Sequence, residues 1–167
     1  MMKQTSEPIN DVVSEALRDY ADMVRRICFM YLRQREDVED VFQDVFLKLL
    51  QTDKPFDSEE HKKAWLCRIT INRCKDLCKA FWRRNVDSLE EMEIPCEDQE
   101  ESDVLLAVLS LPPKLKDVIY LFYYEEYTAG EIAHLLGQKE NTVYSHLHRA
   151  REILRHKLGG SAYESAF

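Results

Sequence analysis

Glycine is scarce: the 167 residues hold four, and two of these, Gly159 and Gly160, are adjacent near the end. Barrels and sandwiches need turn residues every ~8 to 12 positions, so an all-β fold is excluded. No run of ~18 apolar residues is present, and the opening Met1–Pro8 lacks an apolar signal core, which predicts a cytoplasmic protein without a membrane span. The five cysteines (28, 67, 74, 78, 96) are odd in number, which argues for free thiols rather than a disulfide framework. Glycine-rich phosphate loops, Gly-x-Ser-x-Gly and His-Glu-x-x-His are all missing, so no enzyme class declares itself, and no cofactor or small-molecule substrate is expected.

What remains is globular composition, 45% hydrophobic and 32% charged, with a net charge of -8 that conceals its distribution. Residues 61–84 carry eight basic side chains and one acidic, residues 85–103 carry nine acidic and no basic, and residues 138–157 carry five basic and two acidic. Salt screens charge over ~8 Å, so two basic helical islands can hold phosphate although the chain as a whole is acidic.

Hydrophobic spacing predicts helices. Val13, Leu17, Tyr20, Val24, Ile27 and Met30/Tyr31 recur every three or four positions between Asn10 and Tyr31. After a break at Arg33–Arg35, the residues Val38, Val41/Phe42, Val45/Phe46 and Leu49 mark a second amphipathic helix whose polar face is Asp37, Asp40, Gln43 and Asp44. Such an acidic face beside an apolar stripe suits a basic partner helix. Lys54-Pro55-Phe56 forms a loop, and Asp57 with Glu60 reads as a capping box opening a third helix to about Arg84. The acidic stretch 85–103 reads as a flexible tether between two small bundles, residues 1–84 and 104–167. In the second, a short helix stops at Leu111-Pro112-Pro113, and another restarts through Leu115, Val118, Ile119 and Phe122. A capping box at Thr128/Glu131 begins a helix that Gly137 ends, and Asn141 is placed to cap the last helix, with inner stripe Val143, Leu147, Ala150, Leu154 and Leu158. The tail Gly159–Phe167 is too short for a further domain.

Two constellations suggest nucleic acid. Residues Tyr127–Arg151 have the spacing of a helix-turn-helix, whose second helix enters the major groove and would present Tyr144, Ser145, His148 and Arg149; a plain helical hairpin is the alternative. The third helix interleaves Lys62, Lys63, Arg68, Arg73, Lys75, Lys79, Arg83 and Arg84 with Trp65, Phe81 and Trp82, as single-strand binders do, while Phe56 stands in the preceding loop where an aromatic caps a displaced base. The competing reading places Trp65 and Phe81 in the core. Cys67, Ile71, Cys74, Cys78 and Phe81 form a stripe that reads as core; zinc ligation with His61 is the lesser alternative, since no second ligand pair has structural-site spacing. Cys96 is the cysteine most open to solvent by its place in the tether.

The segments Asp37–Leu49, Ala64–Asn72, Thr128–Gly137 and Asn141–Glu152, in that order and spacing, resemble the extracytoplasmic-function sigma factors of bacterial RNA polymerase across about residues 10–158. The resemblance implies an all-α protein without catalytic activity that binds core RNA polymerase and directs initiation at promoter DNA. By position, Asp37, Asp40, Gln43 and Asp44 correspond to the polymerase contact of region 2. Phe56, Asn72 and Asp76 correspond to the pocket for a flipped −10 base, and Arg83 and Arg84 to backbone phosphate contacts. Thr142, Tyr144, Ser145, His146, His148 and Arg149 correspond to the −35 contacts of region 4. The family also implies an anti-sigma factor, often membrane-bound, as a further partner. Relatives often carry Arg or Lys where this chain has Tyr144 and His146, so the −35 sequence does not transfer. A stand-alone helix-turn-helix regulator is the competing class, and run-off transcription separates the two.

Overall fold

The computed structural model describes residues 7–53, 55–84 and 99–167, and the side chains of 11–53, 55–80 and 103–167. The tether from Asn85 to Asp98 with Cys96, Lys54 of the loop, and the side chains of Phe81, Trp82, Arg83 and Arg84 lie outside the described residues. The chain divides into two compact units, Met1–Val86 and Asp87–Phe167, and every regular element among the described residues is helical.

The first unit holds α1 (Glu7–Tyr31), α2 (Arg35–Gln51) and α3 (Glu59–Arg84), each packed on the other two. Its fully buried side chains include Val24, Ile27, Val38, Val45, Leu66 and Ile71. The phase of α1 differs from the expectation at its first turns: Ala16 is buried and Leu17 is 36% exposed, so the inner face runs through Ala16, and its neighbour stands about 100° away. The start of α3 is also displaced by one residue. Ser58, not Asp57, caps it, its Oγ accepting from the His61 N–H at 3.1 Å, and the Asp57 N–H donates to His61 Nδ1 at 3.2 Å. This is a variant of the capping box, in which the histidine in the third position accepts from the residue before the cap rather than from the cap itself.

The second unit is built around α7 (Glu140–Leu158), against which α4 (Gln99–Leu109), α5 (Pro113–Ile119), α6 (Ala129–Leu136) and α8 (Gly160–Ala166) pack. Val118, Leu121, Ile132, Val143, Leu147 and Leu154 are buried at the centre. Helix α4 begins at Gln99, so the last five residues assigned to the tether are helical; acidic residues at a helix N-terminus complement its dipole. The expected continuation of α5 through Phe122 widens into a π-helical turn, Tyr120–Tyr124. There the Glu125 N–H reaches the Tyr120 carbonyl at 3.2 Å, the Tyr120 hydroxyl donates to Glu125 Oε1 at 2.6 Å, and Tyr120 stacks on Tyr124. The Thr128/Glu131 capping box forms with both hydrogen bonds, 3.2 and 2.8 Å, and Gly137 closes α6 in the left-handed region at φ 65°, as expected. Asn141 does not cap α7: the cap position is Lys139, with no side-chain bond, and Asn141 lies within the first turn. The short tail forms α8, whose Tyr163 is buried and whose end packs the Phe167 ring edge-on against Tyr123 at 5.0 Å.

Candidate nucleic-acid interface

Helix α7 owes its orientation to four apolar residues. Val143, Leu147, Ala150 and Leu154 are at most 1% exposed and fix the inner face, so the residues between them must face outward. Tyr144 is 54% exposed, and Ser145, His148 and Arg149 are exposed beside it. Thr142 and His146 are half-buried at the flanks of this stripe, and His146 turns its Nδ1 out of solvent. His148 Nε2 lies 3.2 Å from Glu152 Oε1, one turn further along.

Three cations of this segment also make contacts within the unit. Arg151 donates through Nε to the Tyr123 hydroxyl at 2.6 Å and lies over Phe122 and Tyr123. Arg155 sits 4.8 Å over Tyr163, and Lys157 donates to Ser110 Oγ at 2.6 Å. These three cations tie α7 to its own unit; only Arg151 is half-buried, and Arg155 and Lys157 are exposed like Lys139 and Arg149.

In the first unit the face of α2 presents Asp40 and Gln43 as exposed residues, with Asp37 and Asp44 half-buried. Asp44 Oδ2 accepts from Arg73 Nε at 2.9 Å and Nη2 at 2.7 Å, so one residue of the acidic face is paired with one cation of the basic helix. Both partners remain solvent-accessible, which limits the contribution of the pair to ~1 kcal/mol or less. Asp40, Gln43, Asp44, Arg73 and Leu77 line a shallow hollow there. The structure thus joins two features that looked separate in the sequence.

A second hollow lies where the loop before α3 meets the ends of α1 and α2, lined in part by Val12, Leu49, Thr52, Asp53, Phe56 and Lys62. Phe56 is half-buried and packs edge-on against His61 and Trp65, each at 5.4 Å between centroids. Asn72 and Asp76 are exposed on α3 but stand about 10 and 16 Å beyond Trp65 along the helix, at 1.5 Å per residue. The residues that surround Phe56 are therefore His61, Lys62 and Trp65, rather than the pair expected. Their signal in the sequence was the aromatic and basic interleaving at the start of α3. The Tyr20 hydroxyl donates to Glu59 at 2.8 Å and ties that start to α1. Burial and the Glu59 carboxylate push the Tyr20 phenol up to about 12, while the same bond lowers Glu59.

The cysteine stripe is core. Cys28, Cys67 and Cys74 are buried, and Cys78 donates to the Tyr31 carbonyl at 3.3 Å. Contact with Cys28, then burial, raises Cys74 far above the ordinary thiol range, which leaves it a poor nucleophile. Among the described residues no helix is long and apolar enough to cross a membrane, and no group of three or more His, Cys, Asp or Glu side chains is arranged to hold a metal ion.

A basic-edged three-helix unit followed by a helix-turn-helix unit defines a two-module protein built to handle nucleic acid. Comparison with known proteins resolves the class. Residues 16–84 match the model of sigma-70 region 2 and residues 102–154 that of sigma-70 region 4. The ECF RNA polymerase sigma factor SigE of Mycolicibacterium smegmatis is 29% identical over 91% of this chain, which spans 63% of that protein. The RNA polymerase sigma factor SigV of Bacillus subtilis is 26% identical, with 93% of this chain and 95% of that protein covered. The sigma factor RpoE of Bartonella quintana, solved with the anti-sigma factor NepR, superposes with a TM-score of 0.72 at 20% identity, covering 89% of this chain and 97% of that one. The chain belongs to the sigma-70 family and is of the extracytoplasmic-function type.

Proposed function

We propose that the protein is a promoter-specificity subunit without catalytic activity of its own, working in the cytoplasm by joining core RNA polymerase and setting where transcription starts. The observation that carries this reading is the outward stripe of α7, held at a fixed rotation by Val143 and Leu147 and presented behind a capped α6 and the Gly137 turn. A helix so held enters the major groove with its early turns at the base edges, and Tyr144, Ser145, His148 and Arg149 are the contacts to the −35 element, with Thr142 and His146 at their edges. In the first unit, Asp37, Asp40, Gln43 and Asp44 meet a basic surface of the polymerase. The hollow around Phe56 takes a base displaced from the −10 element, with Lys62 in reach of its phosphate. Asn72, Asp76, Arg83 and Arg84 extend that track along α3. Regulation by an anti-sigma factor follows the example of the B. quintana complex.

Run-off transcription tests the proposal. Core polymerase with this chain should initiate at a defined position on a promoter that core polymerase alone ignores. A chain that binds duplex DNA yet leaves the start sites of core polymerase unchanged is a stand-alone regulator instead, and the proposal fails.

A further inference from the structure

Asn141 was placed by its sequence context as a helix cap, and the structure releases it from that role. Lys139 holds the cap position of α7, and Asn141 is an exposed residue of the first turn. Offsets of three, four and seven residues set it on the same face as Tyr144, Ser145 and His148, opposite buried Val143, Leu147 and Ala150. Its predecessor is turned aside: the Glu140 carboxylate lies over the start of α6, 3.9 Å from where a Cβ on Gly130 would stand. Asn141 is thus the leading outward side chain of the helix. A recognition helix brings its N-terminal residues to base edges, and a primary amide both donates and accepts, which matches the N6 donor and N7 acceptor of adenine in the major groove. The rest of the stripe, Tyr144, Ser145, His148 and Arg149, carries one fixed positive charge, at Arg149, and phosphate attraction carries no sequence information, so discrimination rests on base contacts.

The geometry points to Asn141 as a specificity-determining residue that reads one adenine of the −35 element through two hydrogen bonds. This assignment rests on α7 being the −35 reader. The test uses the full chain bound to core polymerase and a promoter library randomised across the −35 element. The native protein selects adenine at one position. Asn141→Ala and Asn141→Asp, which is of similar size but lacks the amide donor, both reduce that selection by about 5- to 100-fold in relative affinity and leave the other positions unchanged. Replacing that adenine with 7-deazaadenine, which lacks the N7 acceptor, weakens the native protein and leaves Asn141→Ala unaffected. Adenine selection that survives in Asn141→Ala overturns the inference, as does uniform weakening over all sequences, the mark of a backbone contact. Failure of the underlying reading looks different: the native complex then selects no −35 sequence and Arg149→Ala changes nothing.

Discussion

Raising the pH from 6 to 8 should destabilise the second unit by about 2 kcal/mol through one carboxyl group. Asp117 on α5 is 0% exposed, and burial pushes its pKa from an ordinary 3.8 up to about 8. The folded unit then keeps a proton that the unfolded chain has already lost. Stability from this group is therefore whole below about pH 4 and is lost as the pH rises through about 8. Each pH step between those limits costs about 1.4 kcal/mol, and partial ionisation near the upper limit brings the interval from 6 to 8 to about 2 kcal/mol. For a unit of this size the melting temperature falls by about 10 °C. The assay is thermal unfolding of the full chain followed by tyrosine near-ultraviolet circular dichroism, since six of the eight tyrosines lie beyond residue 119. Trp65 and Trp82 both belong to the first unit, and their fluorescence supplies an internal reference. Asp117→Asn keeps the shape, removes the titration and leaves every other ionisable group in place, so it should flatten the response. Native and Asp117→Asn chains losing stability in parallel between pH 6 and 8 would refute the reasoning.

Other outcomes follow from single contacts. Glu126 adopts φ 59°, a left-handed conformation that costs a side-chain-bearing residue about 1 kcal/mol, so Glu126→Gly should raise the denaturation midpoint rather than lower it. Asp44→Ala removes an exposed ion pair and should change stability by less than about 1 kcal/mol. Affinity for core polymerase should nevertheless fall more than about fivefold, while Arg73→Ala, which spares the carboxylate, should not reduce it; surface-immobilised polymerase reads both. Arg149→Ala should weaken binding to a −35 duplex by about 1–3 kcal/mol in a fluorescence titration and leave polymerase binding intact; loss of polymerase binding would reverse the assigned roles.

The helices of this protein were legible because amphipathic spacing is a local property. Val143, Leu147, Ala150 and Leu154 fall on one face whatever the rest of the chain does, and the Thr128/Glu131 box and Gly137 needed only their own neighbours to form. Where a helix start could shift by a residue or two, spacing could not fix it: Ser58 caps α3 in place of Asp57, and α7 begins after Lys139 with no side-chain cap, so Asn141 falls inside its first turn. The charge islands were equally plain, but whether each cation faces solvent was not. Arg151, Arg155 and Lys157 find partners within the unit because the π turn, α8 and Ser110 stand where their side chains reach, although Arg155 and Lys157 stay exposed.

Sequence alone therefore determined an all-helical chain in two units, the rotation of α7 and the acidic face of α2, since each depends on residues within a turn or two of one another. Tertiary packing decided which polar groups meet. Arg73 finds Asp44 across 29 residues, and Phe167, 44 positions beyond Tyr123 in the sequence, packs its ring against it. Phe56 rests on Trp65 rather than beside Asn72. Those partnerships depend on the reach of side chains between helices whose separation is set by the buried residues beneath them, and no periodicity along the chain encodes that distance.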